Sequence, residues 1–197
     1  MSALPAAWIV RHGETEWSRA GRHTGRTDLP LTDRGEEDAR RLAPRLRERC
    51  YARVLTSPSI RARRTAELAG FADALVDPEL AEWDYGEDEG LTSLEIRARR
   101  PGWDLFRDGC PGGESVEEVR ARADRVIERL RAIEGDVLVF SSGHFLRVLA
   151  SRWMGFPAAA GGNLFLETAT LGALGYEHDR SRPVLLRWNA PPGDERC

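Results

Sequence analysis

Two short apolar runs that stop abruptly constrain the fold more than any other feature of this chain. Residues 137–140 read VLVF, and residues 6–10 read AAWIV. Each run has the length of a strand buried on both faces and is too short for a buried helix. Each gives way at once to a polar, glycine-containing cluster: Arg11-His12-Gly13 after the first, Ser141-Ser142-Gly143-His144 after the second. Amphipathic stretches fill much of the remaining chain. Thr32 opens LTDRGEEDARRLAPRLRER, a predicted helix with Leu42 and Leu46 turned inward. Ser57-Pro58 starts a helix carrying Ile60, Arg61, Thr65 and Leu68. Ser115 and Glu118 form a capping box ahead of a helix whose apolar residues Val116, Val119, Ala123, Val126, Ile127, Leu130 and Ile133 follow a period close to 3.6. Another helix is predicted over 145–154. Further strands are predicted over 53–56, 164–166, 173–176 and 184–188, while 73–113 is less regular. Strands alternating with helices imply an α/β fold, a three-layer α/β/α sandwich with a mainly parallel central sheet. Ligands bind such sheets at the carboxyl ends of the strands, so the two polar clusters are expected to face one crevice.

The 197 residues suit one domain with a substantial core, here taken as 1–197. Net charge is −3, which gives no global attraction to nucleic acid or an anionic membrane. The arginine clusters SIRARRTA and EIRARRPG lack interleaved aromatic platforms and are expected to be solvated helix faces. All 29 basic residues are arginines, which rules out lysine-based Schiff-base or P-loop chemistry. No apolar run approaches the ~20 residues that span a bilayer, and the N-terminal residues lack the pattern of a signal peptide. Cys50, Cys110 and Cys197 are odd in number and widely spaced, which points to a reducing, cytoplasmic compartment. The four histidines and three cysteines make no zinc spacing. His23 and His178 are expected to be surface or structural residues.

The loop RHGETEWSRAGRHTGRTDLP after the first strand is long for a compact domain, which usually signals binding or catalysis. In chain order, VRHGETEW, SPSIRARRTA, EWDYGEDEGLT and PGGES resemble the histidine phosphatase superfamily, the phosphoglycerate-mutase-like family, from about residue 8 to about residue 178. RHTGRTDLPLT, EWDYGEDEG and LGALGYEHD look most like its small-molecule phosphatase branch, which includes sedoheptulose-bisphosphatase-like enzymes.

The resemblance implies a phosphoric monoester hydrolase acting on a small-molecule phosphate ester, such as a sugar phosphate or bisphosphate. No metal and no cofactor are implied, and the oligomeric state stays open, a homo-oligomer included. His12 would be the nucleophile, Arg11 and Arg61 would grip the phosphoryl oxygens, and Glu82 would serve as proton donor and then base. Ser18, Thr24, Gly25, Ser142, Gly143 and His144 would line the phosphate or substrate site. Arg22 and Arg26 are candidates for holding a second anionic group, and 84–114 is the expected substrate-selecting cap.

One departure stands out. The family pattern after the late strand is Ser-His-Gly, so Ser142 stands where a second histidine belongs, and His144 follows two residues later. Three readings stay open: a phosphatase of reduced power; a site in which His144 or another group takes over; or a pocket that binds phosphate with negligible turnover, whether a pseudoenzyme, a chain altered to trap a complex, or one with other chemistry. Phosphoglycerate mutase is a further alternative, for which the chain is short.

Overall fold

The computed structural model describes residues 4–193. Cys197 lies outside the described residues. Six strands form one sheet: β1 (Ala7–Arg11), β2 (Arg53–Thr56), β3 (Leu75–Val76), β4 (Val137–Ser141), β5 (Leu171–Tyr176) and β6 (Pro183–Ala190), in the order β3-β2-β4-β1-β5-β6. β3, β2, β4 and β1 pair in parallel; β5 runs antiparallel to both β1 and β6. The helices are α1 (Glu16–Arg19), α2 (Asp33–Arg47), α3 (Ile60–Leu68), α4 (Ser93–Arg99), α5 (Leu105–Asp108), α6 (Val116–Ala132) and α7 (Gly143–Trp153).

The period-2 geometry of strands divides the core into two layers. Trp8, Val10, Leu138 and Phe140 face Leu42 and Leu46 of α2 and Ala66 of α3. Ala7, Ile9, Val137 and Val139 face the other way, against Val119, Ala123 and Ile127 of α6 and Phe145, Leu146 and Leu149 of α7. The α/β/α sandwich with a mainly parallel sheet is therefore observed, and the apolar spacings expected for α2 and α6 are the faces buried.

The strand expected over 164–166 does not form. Leu164 ends a 3-10 segment (Ala158–Asn163), and the following residues pair through side chains instead of a ladder. The indole of Trp188 donates to the Phe165 carbonyl, the side-chain oxygen of Asn189 accepts from the Glu167 N–H, and the Leu166 carbonyl accepts from the Arg11 guanidinium. α3 starts at Ile60, with its first N–H donated to Asp28. α7 starts at Gly143, two residues before the expected helix.

The pairing of β1 with β4 sets the site. Arg11 stands opposite Ser141 in register, and the His12 N–H donates to the Ser141 carbonyl over 2.9 Å. Both polar clusters thus leave the sheet side by side at its carboxyl edge. The loop after β1 then crosses the start of α2 at glycine-only distance. A Cβ on Gly13 would lie 2.4 Å from the Gly35 carbonyl oxygen, and one on Gly35 would lie 2.2 Å from that of Glu14. Neither contact can be relieved by a side-chain rotation, since backbone meets backbone. Gly35→Ala is expected to destabilise the chain by about 1–3 kcal/mol or more, read as a lowered urea midpoint at unchanged m-value. An unchanged midpoint would show that the β1 loop and α2 are not packed this closely.

Candidate active site

Four side chains from separate elements meet at the carboxyl edge of the sheet. Arg11 ends β1, His12 follows it, Arg61 sits in the first turn of α3, and Glu82 lies in the loop before residues 86–88. All except Arg11 are at least nine-tenths buried, with Arg61 fully so. Arg11, His12 and Glu82 line one cavity of about 230 Å³ with Ser18, Thr24, Gly143 and His144.

The His12 ring is held in one tautomer. Its Nδ1 is 2.7 Å from the Gly13 carbonyl oxygen, which can only accept, so Nδ1 carries the proton and Nε2 keeps a free lone pair. Burial, then the nearby charges of Arg61 and Arg11, hold the proton affinity of His12 well below the ordinary histidine value. The ring is therefore neutral, with a nucleophilic nitrogen, at and well below neutral pH.

The two arginines are tied at their tips. Arg61 donates to the carbonyls of Thr24 (2.9 Å), Gly25 (3.0 Å) and Thr27 (3.0 Å), and its nearest carboxylate, Asp28, is 4.0 Å away. Arg11 donates to the Leu166 carbonyl and packs on Gly143, where a Cβ would lie 3.0 Å from the Arg11 Nε. Burial lowers the proton affinity of Arg11, partly offset by Glu82. Among the described residues, four buried side-chain polar atoms have no hydrogen-bond partner. Three of them belong to this cluster: Arg11 Nε, Arg61 Nε and Ser142 Oγ.

Glu82 caps α7. One carboxylate oxygen accepts from the N–H of Trp83 and of Phe145, both at 2.8 Å; the other accepts from the His144 N–H at 3.0 Å. This placement exploits the positive end of the helix. It also displaces Ser142 from its customary duty. Ser142 is the N-cap residue of α7, yet its hydroxyl caps nothing, because Glu82 has taken the N–H groups. Buried Arg122 of α6 secures the Glu82 loop. It donates to the carbonyls of Glu79 (2.9 Å), Ala81 (2.7 Å) and Glu82 (3.3 Å) and makes a two-point pair with Glu114, at 2.8 and 2.7 Å.

Other expected residues fall variously. Ser18 lines the cavity while closing the capping box of α1 with Thr15. Thr24 lines it with its hydroxyl directed to the Arg22 carbonyl. Gly25 does not line the cavity. Its N–H donates to both Glu89 oxygens, and a Cβ would strike the Trp83 carbonyl at 2.6 Å, so its place is loop packing around Arg61. Ser142 is fully buried and likewise does not line it. Arg22 lines the cavity and donates to the Gly90 carbonyl and Glu95. Arg26 is exposed, paired with Asp84 at 2.6 Å, and stands in a neighbouring depression.

Of the two histidines expected to be surface or structural, His178 is exposed, while His23 is buried, with Nδ1 2.8 Å from the Leu91 carbonyl oxygen, and also lines the cavity. Tyr85 and Arg147 also line it and were not anticipated. Both had a signal in the sequence. Tyr85 lies three residues after Glu82, and Arg147 lies one helical turn from His144, on the same face. Among the described residues, no group of three or more His, Cys, Asp or Glu side chains is arranged to hold a metal ion, and no helix is long and apolar enough to cross a membrane.

The two depressed histidines couple stability to pH. Burial, with Arg147 next, also lowers the proton affinity of His144 well below the ordinary value. Both groups bind protons more tightly in the unfolded chain than in the folded one. Their contribution to stability is therefore complete above the unfolded value of about 6.5 and is lost as pH falls below it. Urea titrations from pH 8 to pH 5 should show stability falling below about pH 6.5, with uptake of on the order of two protons on unfolding. The slope should shrink in His12→Asn and His144→Asn. A flat profile in the parent chain would contradict the burial of two neutral imidazoles.

Residues 7–191 match the family model of the histidine phosphatase superfamily (branch 1). The chain is 44% identical over 190 residues to an acid phosphatase of Mycobacterium tuberculosis, covering 93% of each protein. It is 37% identical over 187 residues to sedoheptulose 1,7-bisphosphatase of Saccharomyces cerevisiae, covering 78% of this chain and 69% of the yeast protein. A solved structure of an open reading frame product from Mycobacterium tuberculosis superposes with a TM-score of 0.91 at 40% identity, covering 95% of this chain and 98% of that one. The chain belongs to the histidine phosphatase superfamily, and its family and relatives make it a hydrolase of the phosphatase kind.

Proposed function

We propose that this chain hydrolyses a small phosphorylated metabolite, a sugar phosphate or bisphosphate, through a phosphohistidine at His12. The observation that carries the reading is a neutral His12 with an open Nε2 on the same cavity wall as Arg11, whose guanidinium keeps one N–H unpaired. Buried polar groups in folded proteins are nearly always paired, and leaving one unpaired costs roughly 1–3 kcal/mol, more when it is charged. The Arg11 guanidinium and the lone-pair nitrogen of His12 border one cavity, with the charge of Arg61 close behind, and a phosphoryl group would engage this set through its acceptor oxygens.

The steps follow from these groups. The Nε2 lone pair of His12 attacks phosphorus as the bond to the ester oxygen breaks, and Glu82 gives its proton to the departing alcohol. Glu82 then takes a proton from water as its oxygen attacks the phosphohistidine, the P–N bond breaks, and inorganic phosphate leaves. Arg11 and Arg61 offset the phosphoryl charge throughout, and most phosphoryl-transfer catalysis is of that electrostatic kind. Residues 84–114, which supply Tyr85 and Ser93 to the cavity wall, act as the segment that selects the substrate.

Ser142 lowers the rate in this reading. A hydroxyl is shorter than an imidazole and uncharged, and losing one preorganised donor of this kind costs on the order of 10²–10³ in turnover. Phosphate release from sugar phosphates, sugar bisphosphates and an aryl phosphate should be slow but above a His12→Ala blank. Turnover should persist in a chelator and rise about a hundredfold in Ser142→His. A chain no faster than the blank on every ester, with Ser142→His equally inert, would overturn the phosphatase reading.

A further inference from the structure

The cavity has a second wall that the phosphoryl chemistry does not use. His23, Tyr85 and His144 come from three segments and all line it. The Tyr85 hydroxyl is 2.6 Å from His144 Nδ1. Burial keeps the phenol protonated far above its ordinary range and the His144 ring neutral far below its own. A phenol O–H is the better donor and an sp² ring nitrogen the better acceptor, so Tyr85 donates to Nδ1. The remaining proton of His144 is then on Nε2. His23 is fixed the opposite way: its Nδ1 is 2.8 Å from the Leu91 carbonyl oxygen, which can only accept. Its Nε2 therefore carries a lone pair. The two rings lie nearly parallel, with centroids 5.7 Å apart and planes at 22°. The two rings are thus neighbours on one cavity wall, one carrying an N–H at Nε2 and the other a lone pair.

We propose that His23 and His144 form a donor–acceptor pair that reads a hydroxyl on the alcohol part of the ester, with Tyr85 as the residue that sets the direction of the pair. A hydroxyl both donates and accepts, so it satisfies His144 Nε2–H and His23 Nε2 together. A second phosphate or a carboxylate only accepts, and would set its lone pairs against that of His23. An alkyl group would satisfy neither. The substrate class is therefore a phosphate monoester with a hydroxyl close to the ester carbon, a polyol or sugar phosphate. Arg147, also on this wall, spends two of its N–H groups on the carbonyls of Gly161 and Gly162 and stacks over Phe106. The selection rests on the phosphatase reading above for its catalytic meaning, but the binding preference can be measured without turnover.

The test is calorimetric titration of the full chain carrying His12→Asn, which blocks turnover, with glycerol 1-phosphate and with propyl phosphate. The two esters share a carbon count and a phosphoryl group and differ in hydroxyls. Glycerol 1-phosphate should bind at least tenfold more tightly. Adding Tyr85→Phe or His23→Phe should bring its affinity to within about twofold of propyl phosphate, with thermal unfolding confirming that each variant folds. Equal affinities in the parent, or a preference that survives both substitutions, would overturn the hydroxyl pair while leaving the phosphatase reading standing. Failure of both esters to bind would overturn the hydroxyl pair, and together with an inert Ser142→His it would sink the phosphatase reading as well.

Discussion

Two arginines buried at the carboxyl edge of a parallel sheet, with almost no acid to pair with, are the constraint around which this structure is arranged. A buried guanidinium must be compensated by hydrogen bonds, and here backbone carbonyls supply them. Arg61 gathers three carbonyls from the 24–27 segment and so shapes the loop behind the cavity. Arg11 takes the Leu166 carbonyl and so fixes the 164–167 crossing as coil. Neither set is complete, since one Nε of each arginine stays unpaired. Burial, and then the same two charges, keep His12 neutral. Loop shape, anion affinity and the state of the nucleophile thus all draw on these two arginines.

Glu82 is the counterweight. It meets the N-terminus of α7 where a serine cap would ordinarily act, and Arg122 of α6 anchors the loop that carries it. Its carboxylate therefore depends on α6, on α7 and on the segment that leads into residues 84–114. This dependence explains why Ser142 can occupy the N-cap and still leave its hydroxyl free. With the helix capped from elsewhere, the Ser142 hydroxyl is released from the capping role that its position would ordinarily give it.

Much of this was legible in the sequence because it is local. The abrupt ends of the runs at 6–10 and 137–140 marked the carboxyl edge of the sheet, and the apolar periods of α2 and α6 identified their buried faces. The features that escaped depend on distant partners. Leu164 to Leu166 carry strand-like residues, but Arg11, Trp188 and Asn189 claim that segment through side chains. α7 begins at Gly143 because Glu82 caps it from 62 residues away. The place of His23 on the cavity wall escaped because nothing near it in the chain shows that Tyr85 and His144 will pack on its ring. α4 is a different case. Thr92 and Glu95 form a capping box that is written plainly as T-x-x-E, inside a stretch that otherwise lacks periodicity.

The central claim is that a neutral His12 with an open Nε2 accepts a phosphoryl group from an ester. Rapid acid-free quenching of the chain with a phosphorus-labelled sugar phosphate, followed by peptide mapping, tests it most directly. The account predicts an acid-labile label on the peptide containing His12, at the ring nitrogen remote from the Gly13 carbonyl, and none in His12→Asn. Turnover of the ester with no label on His12, or with label on another side chain, would contradict it.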